Sequence, residues 1–242
     1  VSCIDCPTQT TGQINGAYLF DGASNHFEVL DSPSLAVDQI TLAAWINPSS
    51  YPNDPRIISK EFGTTDPFSI YSLLISGATD TNLDFRIGVG DVRYQVTGTT
   101  DLALSTWPHV AATYDGSNMQ LYINGNPEGT PVAVSGTIQD NTNDVYIGAS
   151  EFYGRVFDGS LDEIRVYDRA LNQLEIQAIM VGTPLTSCGD GIVQQPNEEG
   201  SGGPLDNGME ECDLTDLDGD NCISLGYDGG SPLGCNLDCT FD

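Results

Sequence analysis

The stretch FDGSLDEIRVYD, residues 157 to 168, carries four carboxylates, on Asp158, Asp162, Glu163 and Asp168. Adjacent acids in such a run can serve as the acid and nucleophile of a sugar-cleaving enzyme, as the start of a metal site, or as the polar face of a strand. A retaining glycosidase needs its two carboxyl groups on one face, about 5 Å apart. The run reads as a β-strand, where side chains alternate, so Asp162 and Glu163 are sent to opposite faces. The same-face neighbours of Glu163 are Arg165 and Tyr167, and neither is a second carboxylate. The expectation is therefore a structural strand, with Ile164 and Val166 buried and Glu163 and Arg165 on a polar face. Glu198-Glu199 and Glu210-Glu211 fall in loops and offer no better pair.

Other catalytic chemistry finds little support. His26 and His109 are the only histidines, and they form no His-x-x-x-His metal pair. His109 reads as a hydrogen-bonded structural residue. There is no Gly-x-Ser-x-Gly nucleophile turn and no glycine-rich phosphate loop. Cys3 and Cys6 have the spacing of a redox or zinc pair, but no thioredoxin-like βαβ pattern surrounds them. A structural disulfide or a tether to the C-terminal region is expected instead.

Binding chemistry is better represented. In DLTDLDGDN, Asp216, Asp218 and Asp220 alternate like the first ligands of a calcium loop. Asn221 stands where an EF-hand has glycine, and Tyr227 where it has its bidentate glutamate, so a solvated acidic turn competes with this reading. A glycan site needs an exposed aromatic face for the sugar ring, with amides and carboxylates for its hydroxyls. Tyr51, Tyr94, Phe152 and Tyr153 lie in or beside polar, loop-rich stretches and are the candidate ligand-binding residues. Trp45 and Trp107 sit in strand-like runs and are assigned to the core.

The elements that must position these groups are short strands. From Gln13 to Asp168 the chain alternates β-branched and aromatic runs with Gly, Asn, Asp and Pro, the pattern of a sandwich or barrel. Asp115-Gly116 and Asn124-Gly125 bracket the run Asn118 to Ile123, predicting two successive hairpins with Met119, Leu121 and Ile123 inward. One helix is expected at NQLEIQAIM, with Asn172 as N-cap, Glu175 completing a capping box, and a stop at Gly182. Beyond it, residues 187 to 242 hold five of the seven cysteines and 13 acids with no Lys or Arg. With few large apolar residues, that segment needs disulfides to fold, and so an oxidising compartment. The net charge of -28, with Lys60 the only lysine, disfavours nucleic acid and anionic lipid as partners. No apolar run reaches the roughly 18 residues of a membrane span. With no signal peptide ahead of Val1, the chain reads as a mature or trimmed exported segment.

AYLFDGASNHFEV, ITLAAWINP, WPHVAATYDGSNMQLYINGNPEG, VYIGAS and FDGSLDEIRVYDRALNQLEI follow one another in the order and spacing of a known family. Over about residues 13 to 181 the chain resembles the laminin G-like jelly rolls of the concanavalin A-like lectin/glucanase superfamily. The resemblance implies an all-β, two-sheet antiparallel jelly-roll sandwich with first and last strands adjacent. Glycoside hydrolases of the superfamily carry a Glu-x-Asp-x-x-Glu strand motif, which this chain lacks. Related jelly rolls often bind calcium at the sandwich rim, and the adjacency of first and last strands would bring Asp21 of FDG towards Asp158 and Asp162. CGDGIVQ, EECD, DNCISLGYDGG and GCNLDCTFD resemble the cysteine-rich repeats of secreted myxobacterial-type proteins. In those repeats a further cysteine often follows, so the odd count reads as truncation. The expected organisation is an N-terminal segment (1–12), a jelly roll (13–186) and an acidic, disulfide-rich appendage (187–242). The expected function is a non-catalytic, extracellular, calcium-dependent module for polysaccharide or a cell-surface glycan. A structural role beside other surface proteins, in an adhesin, pilus-like fibre or surface layer, is the alternative, and a glycosidase-like enzyme the third.

Overall fold

The computed structural model describes residues 1–182 apart from residues 4, 66, 78–80 and 153. The cysteine-rich region and Asp216, Asp218 and Asp220 lie outside the described residues. In chain order the strands are β1 (Thr8–Thr11), β2 (Gly16–Asp21), β3 (Phe27–Val29), β4 (Ile40–Pro48), β5 (Arg56–Glu61), β6 (Ser69–Ile75) and β7 (Asn82–Val89). They continue with β8 (Val92–Asp101), β9 (His109–Tyr114), β10 (Asn118–Ile123), β11 (Asn126–Ala133), β12 (Val145–Ile147) and β13 (Asp158–Tyr167), before helix α1 (Gln173–Met180). A seven-stranded sheet runs β1-β2-β13-β4-β9-β10-β11, and a six-stranded sheet runs β3-β12-β5-β6-β7-β8. The all-β sandwich with one short helix is thus as expected, and β2 lies antiparallel against β13 as the resemblance implied. The seven-stranded sheet already begins at β1, within the first 12 residues, where Thr8 to Thr11 pair with β2.

Turn chemistry sets the register of the meander. The Asp115 carboxylate accepts the N–H groups of Ser117 and Asn118, and Gly116 has φ 88°, which closes the β9–β10 turn. Asn124 and Gly125 both take positive φ, 50° and 72°, as a two-residue hairpin turn whose twist matches its strands requires. Met119 and Leu121 are fully buried, as their alternation predicts. Tyr122, expected to face solvent, is only 9 % exposed.

The core lies between the sheets, where Phe20, Leu42, Ile46, Ile58, Leu73, Phe85, Val110 and Leu161 interdigitate. Each such side chain contributes roughly 1.5–3 kcal/mol on leaving water. Lys60 is also fully buried, and its Nζ reaches Asp31 and Asp140, both at 2.8 Å. Burial of an ammonium is tolerable here because two carboxylates meet it at the sandwich edge.

The outer face of the seven-stranded sheet receives the helix. Asn172 and Glu175 form the expected capping box, and Gly182 follows Val181 with φ 77°. Trp45 Nε1 donates to the Met180 carbonyl at 3.0 Å, while Gln173 and Gln177 donate to the Gly125 carbonyl. A Cβ at Gly125 would come within 2.7 Å of the Gln177 side chain, so the turn glycine also lets the helix approach. The Trp45 indole meets the His109 ring edge-on, with centroids 5.4 Å apart. His109 is buried and its Nδ1 has no hydrogen-bond partner among the described residues, in contrast to the hydrogen-bonded histidine expected.

Burial, with the nearby Arg165 guanidinium, pulls the His109 imidazole down to about 4. An unfolded chain protonates its histidine near 6.5, so as pH falls from there to about 4 the unfolded state binds a proton that the folded state refuses. Stability should therefore fall across that window, by about 3 kcal/mol in all. Urea unfolding followed from pH 7 to 4 should show this loss, and His109→Gln should flatten it. An unchanged slope in the variant would remove His109 as the cause.

Candidate functional site

The six-stranded sheet sends Leu73, Phe85, Ile87 and Val96 into the core. Their strand neighbours must face outward, and the register aligns them into rows. One row crosses the whole sheet: Glu28 on β3 opposes Tyr146 on β12, which opposes Ser59, then Ser72, then Arg86, then Gln95. A second row runs Arg56, Leu74, Asp84 and Thr97. Outward here does not mean solvated, since Arg56, Ser59, Ser72, Leu74 and Asp84 are all buried.

Cover comes partly from Gly148 to Ser150 and from Arg155, beyond β12. Gly148 N–H donates to Ile57 O, Ser59 Oγ donates to Ala149 O, and Arg56 N–H donates to Arg155 O. The segment thus leaves β12, crosses beside β5 and delivers Arg155 to the same face. On the other side Asp54 sits just before β5 in a left-handed conformation, φ 47°, with Oδ1 accepting the Gly77 N–H at 2.9 Å.

Three guanidinium groups and three carboxylates meet there. Arg86 donates to Asp84 Oδ2 through Nε at 3.1 Å and Nη2 at 2.8 Å, and its Nη1 lies 3.9 Å from Asp54 Oδ2. Arg155 Nη1 contacts the same Asp54 oxygen. Arg56 Nε approaches Glu61 Oε1 at 3.4 Å and its Nη1 donates to the Asp54 carbonyl at 3.1 Å. Thr97 Oγ1 donates to Asp84 Oδ1 at 3.2 Å, and Ser69 Oγ to Glu61 Oε2 at 3.4 Å.

Burial dominates the electrostatics. It pushes the Asp84 carboxyl up against the pull of Arg86. It also draws Arg56 down to about 10 despite Glu61. Burial opposes ionisation of Asp54 as well, but the Gly77 N–H and the Arg155 and Arg86 guanidiniums hold that carboxyl below its ordinary value. Two buried hydroxyls on this side, Ser72 Oγ and Ser150 Oγ, have no hydrogen-bond partner among the described residues. The side-chain exposure of Arg86 is 12 % and of Arg155 is 25 %, so the network has an accessible top.

The other half of the face is acidic and aromatic. Tyr146 donates to Glu28 Oε1 at 3.1 Å, and the His26 ring stacks on Tyr146 at 5.3 Å. Burial and Glu28 raise the Tyr146 phenol to about 12. Burial and the charges of Asp144, Glu61 and Glu28 raise Glu151. The next residue, Phe152, is 41 % exposed.

Of the carboxylates expected to share a metal, Asp21 and Asp158 do face each other as a β2–β13 pair. Asp21 Oδ1 accepts the N–H groups of Ala23, Ser24 and Asn25, and Asp158 Oδ2 accepts Ser50 Oγ at 2.5 Å. Asp162 stands four residues further along β13, about 13 Å at strand rise, where it is buried. Its Oδ2 accepts the N–H groups of Gln13 and Ile14 at 2.8 and 2.9 Å. Among the described residues no group of three or more His, Cys, Asp or Glu side chains is arranged to hold a metal ion.

Strict alternation along β13 is corrected by the structure. Pairing with β4 shifts between Asp162 and Arg165, and Glu163 has φ 48°, so a bulge reverses the parity and places Asp162 and Arg165 on one side. Glu163 pairs with Arg165, which also donates to Tyr167 Oη at 3.2 Å, so that acid is spent on a strand-face ion pair as expected.

Tyr51 and Tyr94 pack against the core, and Tyr51 donates to the Leu102 carbonyl. Phe152 is exposed beside the arginine-bearing face, and Tyr153 lies outside the described residues. Cys3 and Cys6 are joined in a disulfide. Sequence reasoning missed Arg56, Arg86, Arg155, Ser72 and Tyr146. The signal was present in NLDFRIGV, where Asp84 and Arg86 alternate with Leu83, Phe85 and Ile87, in a chain with only six arginines.

Two facing sheets with a polar outward face and an acidic rim define a jelly-roll class. A sequence profile of the concanavalin A-like lectin/glucanases superfamily matches residues 21–177, and the chain belongs to that family. It is similar to domain 4 of AbnA, a GH43 extracellular arabinanase from Geobacillus stearothermophilus, in complex with arabinotriose. That match has 17% identity over 72% of this chain and 80% of that chain, with TM-score 0.58. A Ruminococcus gnavus IT-sialidase CBM40 bound to α2,3-sialyllactose matches at 19% identity over 67% and 95%, with TM-score 0.56. A putative carbohydrate binding protein from Bacteroides ovatus matches at 22% over 92% and 56%, with TM-score 0.57. Identities this low bear on the fold alone. No curated protein matches the chain.

The Asp162 geometry gives a direct test. Asp162→Ala takes the carboxylate acceptor from the part-buried N–H groups of Gln13 and Ile14 and should cost about 2 kcal/mol in urea unfolding. The loss should be equal with calcium and with chelator. A loss confined to calcium-containing buffer would instead make Asp162 a ligand.

Proposed function

We propose that the chain is a non-catalytic carbohydrate-binding module acting outside the cell on a polysaccharide or a cell-surface glycan, through the outward face of its six-stranded sheet. The observation that carries this reading is the convergence of Arg86, Arg155 and Asp54 at the accessible top of an ion-pair network anchored beneath by Arg56, Asp84 and Glu61. Guanidinium donors beside a carboxylate acceptor are what a sugar's adjacent hydroxyls need. Phe152 and the stacked His26 and Tyr146 rings supply aromatic surface on the same side. Solved neighbours hold arabinotriose and α2,3-sialyllactose, which supports a glycan as ligand.

The non-catalytic part rests on how the carboxylates are used. A glycosidase pair needs one free acid and one free nucleophile or base on a common face. Here Glu61 serves Arg56 and Ser69, Asp84 serves Arg86 and Thr97, and Glu28 serves Tyr146 and Ser2. Large exposed apolar side chains, such as Leu19, Leu30, Val92 and Leu174, sit on separate elements, which favours a glycan over an apolar protein partner.

Glycan-array binding, followed by titration of the hits, is the test. Arg155→Gln and Gln95→Ala are chosen because both side chains reach the accessible top of the face. Each should weaken binding, Arg155→Gln by about ten-fold, as expected for a lost charged hydrogen bond worth about 1.5 kcal/mol. Binding untouched by both substitutions would place the site elsewhere.

Calcium belongs to the same proposal at the rim. Asp21 and Asp158 face each other there on paired strands, and calcium accepts carboxylate, carbonyl and water oxygens in flexible geometry. Calcium should raise the melting temperature of the native chain and not that of Asp158→Asn. An equal rise in both would reject the Asp21 and Asp158 site.

A further inference from the structure

We infer that the outward face of the six-stranded sheet selects uncharged, hydroxyl-rich glycans and rejects carboxylated ones, because the three arginines that converge on its site are already matched by Asp54, Asp84 and Glu61 and outnumbered by the acids around them. This rests on the carbohydrate-binding reading and names the ligand class within it. The family's solved neighbours leave the choice open, since one holds neutral arabinotriose and another a sialylated trisaccharide.

The chain has seven cationic side chains, and all seven can be placed. Lys60 is held by Asp31 and Asp140 at the sandwich edge. Arg93 lies over the Phe68 ring, Arg165 pairs with Glu163, and Arg169 pairs with Glu175. Arg93 is turned to the same outward side as Gln95, at the end of β8, while Arg56, Arg86 and Arg155 converge on the candidate site, where Glu61, Asp84 and Asp54 respectively meet them. Beside them stand Glu28, on the same cross-sheet row as Arg86, and Glu151, close enough to Glu61, Glu28 and Asp144 for their charges to hinder its ionisation. A ligand carboxylate would enter a field that already carries more negative than positive charge, on a chain of net charge -28.

Hydrogen-bond valence points the same way. A carboxylate only accepts, so it competes with Asp54 and Asp84 for the same guanidinium N–H groups. A sugar hydroxyl donates and accepts. It can bridge from Arg86 or Arg155 to Asp54, the carboxylate at the accessible top, without breaking the pairs beneath it.

Matched ligands provide the test: lactose against α2,3-sialyllactose, and arabinotriose against trigalacturonate, titrated into the full chain at physiological salt. At least one neutral member should bind, and its carboxylated counterpart should bind ten-fold more weakly or worse. A carboxylated member that binds as well as or better than its partner overturns the inference while leaving the glycan-binding reading intact. Absence of binding across neutral and carboxylated panels alike overturns both. Asp54→Asn removes one neutralising charge and should shift the neutral-to-acidic preference at least several-fold towards acid. Should that variant fail to fold, Glu151→Gln on the exposed segment should narrow the preference in the same direction. An unchanged ratio in the folded variant means that charge does not set the selection.

Discussion

Strand β7 can bury Leu83, Phe85 and Ile87 on one face only by turning Asp84 and Arg86 to the other, and the arrangement of the outward face follows from that constraint. Pairing then propagates it sideways. Arg86 fixes Ser72 on β6 and Gln95 on β8, Ser72 fixes Ser59, and Ser59 fixes Tyr146 and Glu28. A shift of one residue in any pairing would carry these charges into the core, so the hydrophobic pattern and the polar rows specify each other. The charges also explain their own company. An unpaired buried carboxylate costs several kcal/mol, so Asp84 is tolerated only with Arg86 at 2.8 Å and Thr97 at its other oxygen.

The two sheets solve the problem of their outer faces differently. On the seven-stranded sheet, helix α1 closes over Trp45, and the buried polar group left there is His109, which stays neutral because its charged form would be desolvated beside Arg165. On the six-stranded sheet no helix of the described residues intervenes, and the buried charges form ion pairs whose upper edges remain open. One face is therefore built for support and the other retains surplus hydrogen-bonding capacity. That asymmetry, rather than any single residue, separates a scaffold surface from a candidate binding surface.

Local chemistry was legible in the sequence, and long-range chemistry was not. Asp115-Gly116, Asn124-Gly125 and the Asn172–Glu175 capping box act through neighbours within four residues, and each appears where its local rule puts it. The cluster of Arg56, Arg86 and Arg155 is assembled from positions up to 99 residues apart by pairing register, which no window along the chain reveals. The parity of β13 was misread for a related reason. A bulge at Glu163 inserts an extra residue against β4, and nothing in LDEIRVY marks it. Asp162 is consequently a structural acceptor for the loop at Gln13 and Ile14, a partnership set 148 or more residues away in sequence.

The Asp-Gly dipeptides show why a carboxylate count alone could not locate a cation. Asp21 and Asp115 do the same local work, each turning one oxygen onto the N–H groups two and three residues ahead. Both acids are thereby accounted for as turn residues without any ion. What distinguishes Asp21 is its cross-strand partner, because β13 sets Asp158 directly opposite, whereas Asp115 caps a hairpin with no such neighbour in its register. Two like charges placed opposite each other on paired strands repel. The structure lessens that repulsion by giving Asp21 three backbone N–H groups, which hold its carboxyl below the ordinary range, and by giving Asp158 the Ser50 hydroxyl. The repulsion that a cation would relieve thus arises from the pairing of β2 with β13, which closes the first strands onto the last.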